Sequence, residues 1–357
     1  MQMEKCVAVG DMFIHEEDFR RALEKSSLFQ TCRYLSWKED AQRPQARKII
    51  RNIETKGSTA YPPDQALAEE IQDADAVFVH LCPVGRELIE KADHLKYILT
   101  CRGGVENIDM EAAEEKGIQV INCPSHNAYA VAEYTIGLML CETRNIARAD
   151  RALKNGEWRE QYPNSGRIRE MRSQTIGLIG FGTIGRLVAE RLTGFGSRIL
   201  IYDPYVDPKE AEKKGCISVT KEKLLQEADI VSLHGRIQPG EPPLIGAKEL
   251  EIMKEDAYLI NTARAALVDM DALYQALKEG KIKGAAVDVF PVEPVPADDP
   301  LVKMDCVTAG NHRGGDTLES YTMAPEAVMA QLEDRLKSFK KGKRNADSGD
   351  RVRKRIY

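Results

Sequence analysis

A histidine near the end of the chain stands among residue types suited to proton transfer. The segment GNHRGGDT, from Gly310 to Thr317, holds His312, one of six histidines in the 357 residues. Histidine titrates near neutral pH, so it can exchange a proton with a reacting oxygen. A histidine among glycines is also a common turn residue, and other residues must decide between the two interpretations.

An arginine and two carboxylates follow other apolar runs. Arg264 lies in LINTARAALVD, and Asp288 and Glu293 lie in GAAVDVFPVEP. Ligands of open α/β sheets bind beyond the carboxyl ends of the strands, so we expect these residues and His312 to gather at one edge. Arginine clamps a carboxylate and polarises a carbonyl, and histidine gives a proton to the carbonyl oxygen. We expect Glu293 to raise the pKa of His312 and to fix its ring. The set suits hydride transfer to a 2-oxo acid.

A glycine motif indicates where the hydride comes from. The segment TIGLIGFGTIGRLVAERL follows an apolar run, opens a helix pattern and holds Gly180, Gly182 and Gly185. The first glycine permits a tight turn, the second lets the backbone approach a pyrophosphate, and the third lets helix and strand pack closely. The amides of Thr183 and Ile184 then point at phosphate from a helix N-terminus. The context predicts dinucleotide binding.

An acidic residue indicates which dinucleotide binds. The next strand pattern, RILIYD, ends in Asp203, eighteen residues after Gly185. A carboxylate there accepts hydrogen bonds from the adenine-ribose hydroxyls and repels a 2′-phosphate. The following residues PYV supply no arginine, so the sequence favours NAD over NADP.

The elements that position these residues alternate between strand and helix patterns. KCVAVG, DAVFVHL, LKYILTC and IQVINC predict four buried strands, and a long helix is expected from about residue 127 to 155. Six further strand patterns follow, and residues 317 to about 341 predict one amphipathic helix. This rhythm is typical of α/β domains with mainly parallel sheets.

Composition narrows the class of protein. Hydrophobic residues make up 43%, charged residues 30%, and the net charge is −5, which argues against a nucleic-acid binder. The start shows no secretory pattern, and the longest apolar stretch, residues 128–141, contains Glu133 and is too short to span a bilayer. Eight cysteines without a CxxC pair argue against a zinc site and favour a reducing cytoplasm. We interpret the basic tail after residue 340 as a solvated end, with a nucleic-acid or membrane arm as the alternative.

Several motifs in one order carry a family resemblance over about residues 75–325. CRGGVENID, NCPSHNAYAVAEYTIGLML, GLIGFGTIG, LINTARAALVD and GAAVDVFPVEP occur in sequence. Together they resemble the D-isomer-specific 2-hydroxyacid dehydrogenases. The resemblance implies that Gly103 and Gly104 bind the substrate carboxylate beside Arg102 and that Arg264, Glu293 and His312 are catalytic. It also implies that the residues nearest the cofactor, besides the glycine motif and Asp203, are His234, Thr262, Ala263, Arg264, Asp288 and His312, with Asp288 toward the nicotinamide amide.

The resemblance also implies an architecture. We expect two Rossmann-like, doubly wound α/β domains, with the cofactor domain inserted into a discontinuous substrate domain. The substrate domain would comprise residues 1–125 and 317–357, and the NAD-binding domain residues 126–316. The family places its active site in the cleft between the domains, and its members are usually homodimers.

Three positions depart from the family pattern. Asn311 stands where proline usually precedes the catalytic histidine, Arg313 follows it, and Arg236 replaces the proline two residues after His234. Arg102 and Arg236 either bind a second anionic group on the substrate or serve as surface or cofactor-phosphate arginines. For Arg313 the surface interpretation is favoured.

The leading hypothesis is an NAD-dependent dehydrogenase acting on a D-2-hydroxy acid or its 2-oxo acid. An alternative is an NAD-sensing corepressor-like binding protein on the same scaffold, against which the intact arginine, glutamate and histidine argue. Formate dehydrogenases of the family carry glutamine where Glu293 stands, so the glutamate argues against that chemistry.

Overall fold

The computed structural model describes residues 3–238 and 240–346, and the chain forms two compact units. Unit 1 is built from segments 1–127 and 317–357, and unit 2 from segment 128–316. The predicted boundary near residue 125 lies two residues before the observed one. Most of the basic tail, from residue 347 onward, lies outside the described residues.

Unit 1 contains one five-stranded sheet in which every neighbouring pair is parallel, with the order β2-β1-β3-β4-β5. The strands are β1 (Met3–Gly10), β2 (Phe29–Ser36), β3 (Ala76–Val79), β4 (Tyr97–Thr100) and β5 (Gln119–Ile121). The helices are α1 (Glu16–Glu24), α2 (Arg43–Lys56), α3 (Gln65–Glu70), α4 (Arg86–Lys91) and α5 (Met110–Glu115), followed at the C-terminal end by α14 (Leu318–Thr322) and α15 (Ala324–Ala346).

Two features of unit 1 differ from the expectation. Strand β2 was not predicted, because an edge strand buried on few positions shows no apolar run. The single helix expected from residue 317 is two helices, α14 and α15. Pro325 is the second residue of α15, where its missing N–H and fixed φ favour a helix start over continuation.

Unit 2 contains a seven-stranded parallel sheet with the order β12-β11-β10-β9-β6-β7-β8. The strands are β6 (Thr175–Ile179), β7 (Arg198–Tyr202), β8 (Ile217–Ser218), β9 (Ile230–Leu233), β10 (Tyr258–Asn261), β11 (Gly284–Val287) and β12 (Val307–Ala309). The helices are α6 (Ala128–Thr143), α7 (Ile146–Lys154), α8 (Thr183–Thr193), α9 (Pro208–Glu212), α10 (Lys221–Glu227), α11 (Ala247–Ile252), α12 (Met270–Lys278) and α13 (Pro300–Lys303).

The prediction of six strands in this unit missed β8, a two-residue edge strand. The long helix expected over residues 127–155 is also interrupted. Asn145 adopts a left-handed conformation (φ 58°), which asparagine tolerates better than most residues. Its side-chain amide donates to the Asn164 side-chain oxygen at 2.6 Å, and its own oxygen accepts from Arg148. These buried hydrogen bonds stabilise the break between α6 and α7.

The strand order of unit 2 determines where a ligand can bind. Strand β6 lies between β9 and β7, so the connections leave it in opposite directions, and a crevice forms at the carboxyl ends of β6 and β9. Strands β9, β10 and β11 are buried at every position, with apolar clusters on both faces of the sheet. The polar residues of interest therefore lie at the strand ends. Within residues 3–238 and 240–346, no helix is long and apolar enough to cross a membrane.

Candidate functional site

The glycine motif forms the turn between β6 and α8. Gly180 has φ 98°, and a Cβ there would lie 2.6 Å from the Gly235 amide nitrogen, so only glycine permits this approach to the loop after β9. A Cβ at Gly185 would clash with the Gly180 carbonyl oxygen. Packing therefore requires two of the three glycines.

Gly182 is different, because the space around it is open. No atom lies within 4 Å of the position that a Cβ would take, and Gly182 caps α8 without a side chain. The first turn of α8, which begins at Thr183 and Ile184, therefore faces a cradle that a side chain would fill. A helix N-terminus with this clearance is suited to a phosphate group, so these residues fit a dinucleotide.

Asp203 follows the end of β7 and is fixed by the backbone. Its Oδ2 accepts from the Phe181 amide at 2.7 Å, and its Oδ1 accepts from the Tyr205 amide at 2.9 Å. A carboxylate has about four acceptor positions, so about two remain for other donors such as ribose hydroxyls.

His234 follows β9 on the other side of the crevice. Its ring Nε2 lies 3.0 Å from the Ser232 hydroxyl, and burial lowers its pKa to about 4. The imidazole is therefore neutral at pH 7. Two residues later, the exposed Arg236 has no hydrogen-bond or ion-pair partner in the described part of the chain.

The turn after β10 carries Arg264. The Asn261 side chain donates to the Arg264 carbonyl at 2.9 Å and accepts from the Ala263 amide at 3.1 Å. The Arg264 guanidinium is exposed and donates to the Ala263 carbonyl at 2.7 Å. Thr262 is buried, and its hydroxyl lies 2.7 Å from that of Thr135 on α6. The arginine is thus held on a rigid turn with its head group accessible.

The ends of β11 and β12 bring Glu293 and His312 together. The His312 Nδ1 lies 2.8 Å from the Glu293 Oε2, and the Phe290 amide donates to the Glu293 Oε1 at 3.0 Å. Because the carboxylate accepts, Nδ1 carries the proton and Nε2 is left for a reacting group. The His312 side chain is 52% exposed. The histidine in GNHRGGDT is therefore both a turn residue (φ 58°) and a carboxylate-oriented imidazole.

Asp288 lies one residue beyond β11 and is only 1% exposed. Its oxygens accept from the backbone amides of Arg313 at 3.2 Å and Gly314 at 2.9 Å. The Arg313 guanidinium forms an ion pair with Asp316 at 2.6 Å, consistent with the surface interpretation of that arginine. Asp288 thus contacts the loop that carries His312.

In unit 1, the loop after β4 carries Arg102, Gly103 and Gly104. Neither glycine amide donates a hydrogen bond to a group within residues 3–238 or 240–346, while the Asn122 side chain holds the Gly103 carbonyl at 2.6 Å. Arg102 lies 3.2 Å from Glu106 and 3.8 Å from Glu54. The sequence left open whether Arg102 binds a second anionic group or is a surface or cofactor-phosphate arginine. In the structure its guanidinium pairs with two carboxylates, while its buried Nε has no hydrogen-bond partner among the described residues.

Sequence reasoning missed three residues that support this site. Asn261 was visible within LINTARAALVD as a polar residue at the end of a buried strand. Thr135 and Tyr134, in the apolar run of α6, contact Thr262 and Asp288 respectively. A polar side chain inside an apolar helix pattern was the available signal, because a buried hydroxyl needs a partner.

Comparisons with known proteins show the family of the chain. The family model described as "D-isomer specific 2-hydroxyacid dehydrogenase, NAD binding domain" matches residues 136–314. The chain is 42% identical over 291 residues to the D-3-phosphoglycerate dehydrogenase of Methanocaldococcus jannaschii, a match that covers 80% of this chain and 54% of that relative. It is 36% identical to the glyoxylate reductase of Korarchaeum cryptofilum, over 79% of this chain and 85% of the relative.

A solved structure extends the likeness to the whole fold. D-lactate dehydrogenase with NAD+ from Lactobacillus jensenii superimposes with a TM-score of 0.69 at 26% identity, over 91% of this chain and 94% of that one. The chain thus spans about half the length of its phosphoglycerate dehydrogenase relative and most of the length of the other two proteins. The chain has two parallel sheets, each in an α/β unit, and it matches the NAD-binding domain of the family, so its cofactor is NAD. The chain belongs to the family of D-isomer-specific 2-hydroxyacid dehydrogenases.

Proposed function

We propose that the protein interconverts a 2-oxo acid and the corresponding D-2-hydroxy acid, with NADH supplying the hydride when it is bound. The observation that carries the proposal is the pair formed by His312 and Glu293 at 2.8 Å. A carboxylate on Nδ1 fixes the tautomer and leaves Nε2 to act on a substrate oxygen. A binding protein would not need this arrangement together with an accessible arginine in the same unit.

In the direction of reduction, His312 acts as the general acid. Its Nε2 gives a proton to the carbonyl oxygen of the substrate as the hydride reaches the carbon. Glu293 stabilises the protonated imidazole by a charge-assisted hydrogen bond and prevents rotation of the ring. In the reverse direction, the neutral imidazole takes the proton from the hydroxyl group.

For the substrate carboxylate, each unit offers donors of its own. In unit 2, the exposed Arg264 guanidinium offers paired N–H donors that match a carboxylate and also polarise the adjacent carbonyl. In unit 1, the amides of Gly103 and Gly104 have no donor role within the described segments, which supports their assignment to carboxylate binding.

We assign the cofactor to the crevice of unit 2. The cradle at Gly182 and the first turn of α8 bind the pyrophosphate, and Asp203 binds the adenine ribose. The residues assigned to the nicotinamide half are His234, Thr262, Ala263 and Asp288. Asp288 uses two acceptor positions for the loop amides and lies near the Tyr134 hydroxyl, which leaves at least one position for the nicotinamide amide.

For the substrate class, the ion pairs of Arg102 with Glu106 and Glu54 favour a 2-oxo acid whose only anionic group is its carboxylate. A phosphate near Arg102 would have to displace Glu106 or Glu54 from the guanidinium. The relatives named above act, by their names, on phosphoglycerate and glyoxylate, so a panel must contain both phosphorylated and unphosphorylated acids.

Two further parts of the proposal concern the protein as a whole. The exposed apolar side chains of Ile146, Leu153 and Trp158 on and after α7 support a homodimer formed through unit 2. All eight cysteines are free thiols, which supports a reducing cytoplasmic setting. Light scattering of the purified protein tests the first, and cell fractionation tests the second.

The experiment that tests the function is an NADH-oxidation screen over 2-oxo acids, including glyoxylate, pyruvate, hydroxypyruvate and a phosphorylated hydroxypyruvate, with chiral analysis of the product. We expect turnover with at least one unphosphorylated acid, formation of the D-enantiomer, and loss of turnover in Arg264→Ala. NADH binding without turnover across the panel would contradict the proposal and favour the binding protein.

A further inference from the structure

We propose that Tyr134 is a positioning residue for the proton donor: its hydroxyl holds the Asp288 carboxylate, which in turn holds the loop that carries His312. The inference rests on the proposed function. It assigns a role to a side chain that lies outside the catalytic set of Arg264, Glu293 and His312.

The first observation is the way Asp288 is bound to the loop. Its carboxylate is buried and accepts from the amides of Arg313 and Gly314, the two residues that follow His312. A buried carboxylate is costly without donors, and hydrogen bonds to an ionised group are stronger than neutral ones. The loop conformation and the ionised state of Asp288 therefore stabilise each other.

The second observation is the position of Tyr134. This residue lies on α6, and its hydroxyl and the Asp288 carboxylate approach the same point beside Gly310, which places the hydroxyl as a third donor for the carboxylate. Burial first, and then the Asp288 charge, raise the pKa of Tyr134 to about 12, so the hydroxyl keeps its proton and remains a donor. Helix α6 packs against β10, β11 and β12, so it anchors this contact on the body of unit 2.

The third observation is that the loop has no room for a side chain at Gly310, two residues before His312. A Cβ there would clash with the Asp288 carboxylate and would lie 2.6 Å from the Tyr134 hydroxyl oxygen. The loop therefore passes directly against both groups. It reaches His312 in a left-handed conformation (φ 58°), which a non-glycine residue keeps only when its surroundings hold it.

These contacts have a chemical consequence. His312 is half exposed and has one fixed contact on its ring, the 2.8 Å hydrogen bond to Glu293. The backbone on its C-terminal side is fixed by Asp288, and Asp288 is fixed by Tyr134. Without the hydroxyl, one acceptor position of a buried carboxylate is unsatisfied, and the loop gains freedom to move His312 away from Glu293 and from the substrate.

The test is Tyr134→Phe, with Tyr129→Phe as the matched control. Both variants remove one hydroxyl from α6, but Tyr129 is 66% exposed and its ring lies against Arg191. For Tyr134→Phe we expect kcat to fall about tenfold, the loss typical of one hydrogen bond to a charged group. The dissociation constant of NADH, measured by fluorescence, should change less than kcat, because the glycine cradle and Asp203 are unchanged and only the Asp288 contact is affected. For Tyr129→Phe both values should match the wild type.

A second readout does not depend on turnover. In the wild-type protein, the Nδ1 proton shared by His312 and Glu293 should give a low-field proton NMR signal that His312→Gln abolishes. Tyr134→Phe should broaden or shift this signal, whereas Tyr129→Phe should leave it in place. A solvent deuterium isotope effect on kcat that rises only in Tyr134→Phe would show that proton transfer has become slower.

The outcomes separate the inference from the proposed function. If Tyr134→Phe keeps wild-type kcat and the low-field signal while His312→Ala is inactive, the positioning role is wrong and the proposed function stands. If kcat, NADH affinity and the melting temperature of Tyr134→Phe all fall together, so that the ratio of kcat to NADH affinity is unchanged, the role of Tyr134 is structural only. That result would overturn the inference. If His312→Ala retains full turnover, the proposed function itself fails.

Discussion

Glu293→Gln is the substitution whose effect follows most directly from the geometry. The wild-type carboxylate has two oxygens, of which Oε1 accepts from the Phe290 amide and Oε2 pairs with His312. Glutamine has one oxygen and an NH₂ group that cannot accept. The variant therefore keeps the backbone contact or the imidazole contact, but not both, and its amide carries no charge to stabilise a protonated ring.

The size of the effect follows from the exposure of the pair. A hydrogen bond between charged groups contributes about 1.5–3 kcal/mol. His312 and Glu293 are 52% and 37% exposed, so solvent screens the interaction and the lower end, about 1.5 kcal/mol, applies. A loss of about 1.5 kcal/mol in the transition state corresponds to about a tenfold slower reaction.

The assay is stopped-flow measurement of NADH oxidation with a saturating 2-oxo acid near neutral pH. We expect the rate constant of Glu293→Gln to fall about tenfold, because the neutral amide carries no charge to stabilise the protonated imidazole. Glu279→Gln, at an exposed position after α12, is the control and should behave as wild type. A Glu293→Gln rate constant equal to that of the wild type would refute the assignment of the pair.

Three further predictions concern the cofactor site and the core. Gly182→Ala should fold with an unchanged melting temperature, since its Cβ meets no atom within 4 Å. It should nevertheless bind NADH at least about tenfold more weakly in fluorescence titration, because the methyl group enters the phosphate cradle. The control Gly137→Ala, also without a neighbour within 4 Å, should bind NADH like the wild type. In Asp203→Asn, the ratio of the KM for NADPH to the KM for NADH should fall about tenfold, because the charge that repels a 2′-phosphate is removed. An unchanged ratio would contradict the ribose role of Asp203. Arg148→Met should lower the free energy of unfolding by about 3–5 kcal/mol in urea titration, because it leaves Glu142 buried without its partner. Burial raises the pKa of the Glu142 carboxyl group, so this group binds a proton more tightly in the native state than in the unfolded chain. A protonated Glu142 needs no ion-pair partner, so the loss of stability in Arg148→Met should be smaller in acidic buffer than in alkaline buffer. A loss of stability that is independent of pH would argue against an ionised Glu142.

The sequence predicted the parts of the fold whose signals are local. Buried strands such as β6, β9 and β10 are mainly apolar because helices cover both faces of a parallel sheet. The glycine motif could be interpreted in advance because each glycine is required by a short-range approach of backbone to backbone or backbone to ligand. Asp269 caps the N-terminus of α12 by accepting from the Ala272 amide at 3.0 Å, a role that aspartate commonly takes before a helix.

The features that were missed depend on tertiary contacts. The break at Asn145 is stabilised by Asn164 and Arg148, which no window around residue 145 contains together. Strand β2 is defined by pairing with β1 and not by its own apolar pattern. The balance of charge at Arg102 required Glu54, which is distant in sequence.

The candidate site shows the same division. The order and spacing of Arg264, Glu293 and His312 along the chain were enough to expect them at one edge of the sheet, because parallel strands end on the same side. The sequence marks Tyr134, Thr135 and Asn261 as polar residues in apolar runs but does not name their partners. The Thr135 hydroxyl meets Thr262 on another element, whereas Asn261 bonds within its own turn.

The central claim is that His312 delivers the proton during reduction of a 2-oxo acid. The most direct test is a single-turnover measurement, in which enzyme preloaded with NADH is mixed with the best acid from the screen and NADH absorbance is followed. For His312→Ala we expect the rate constant to fall about 100- to 10,000-fold with NADH affinity unchanged, while His94→Ala, an exposed histidine of unit 1, keeps the wild-type rate. A His312→Ala rate constant within about twofold of wild type would contradict the claim.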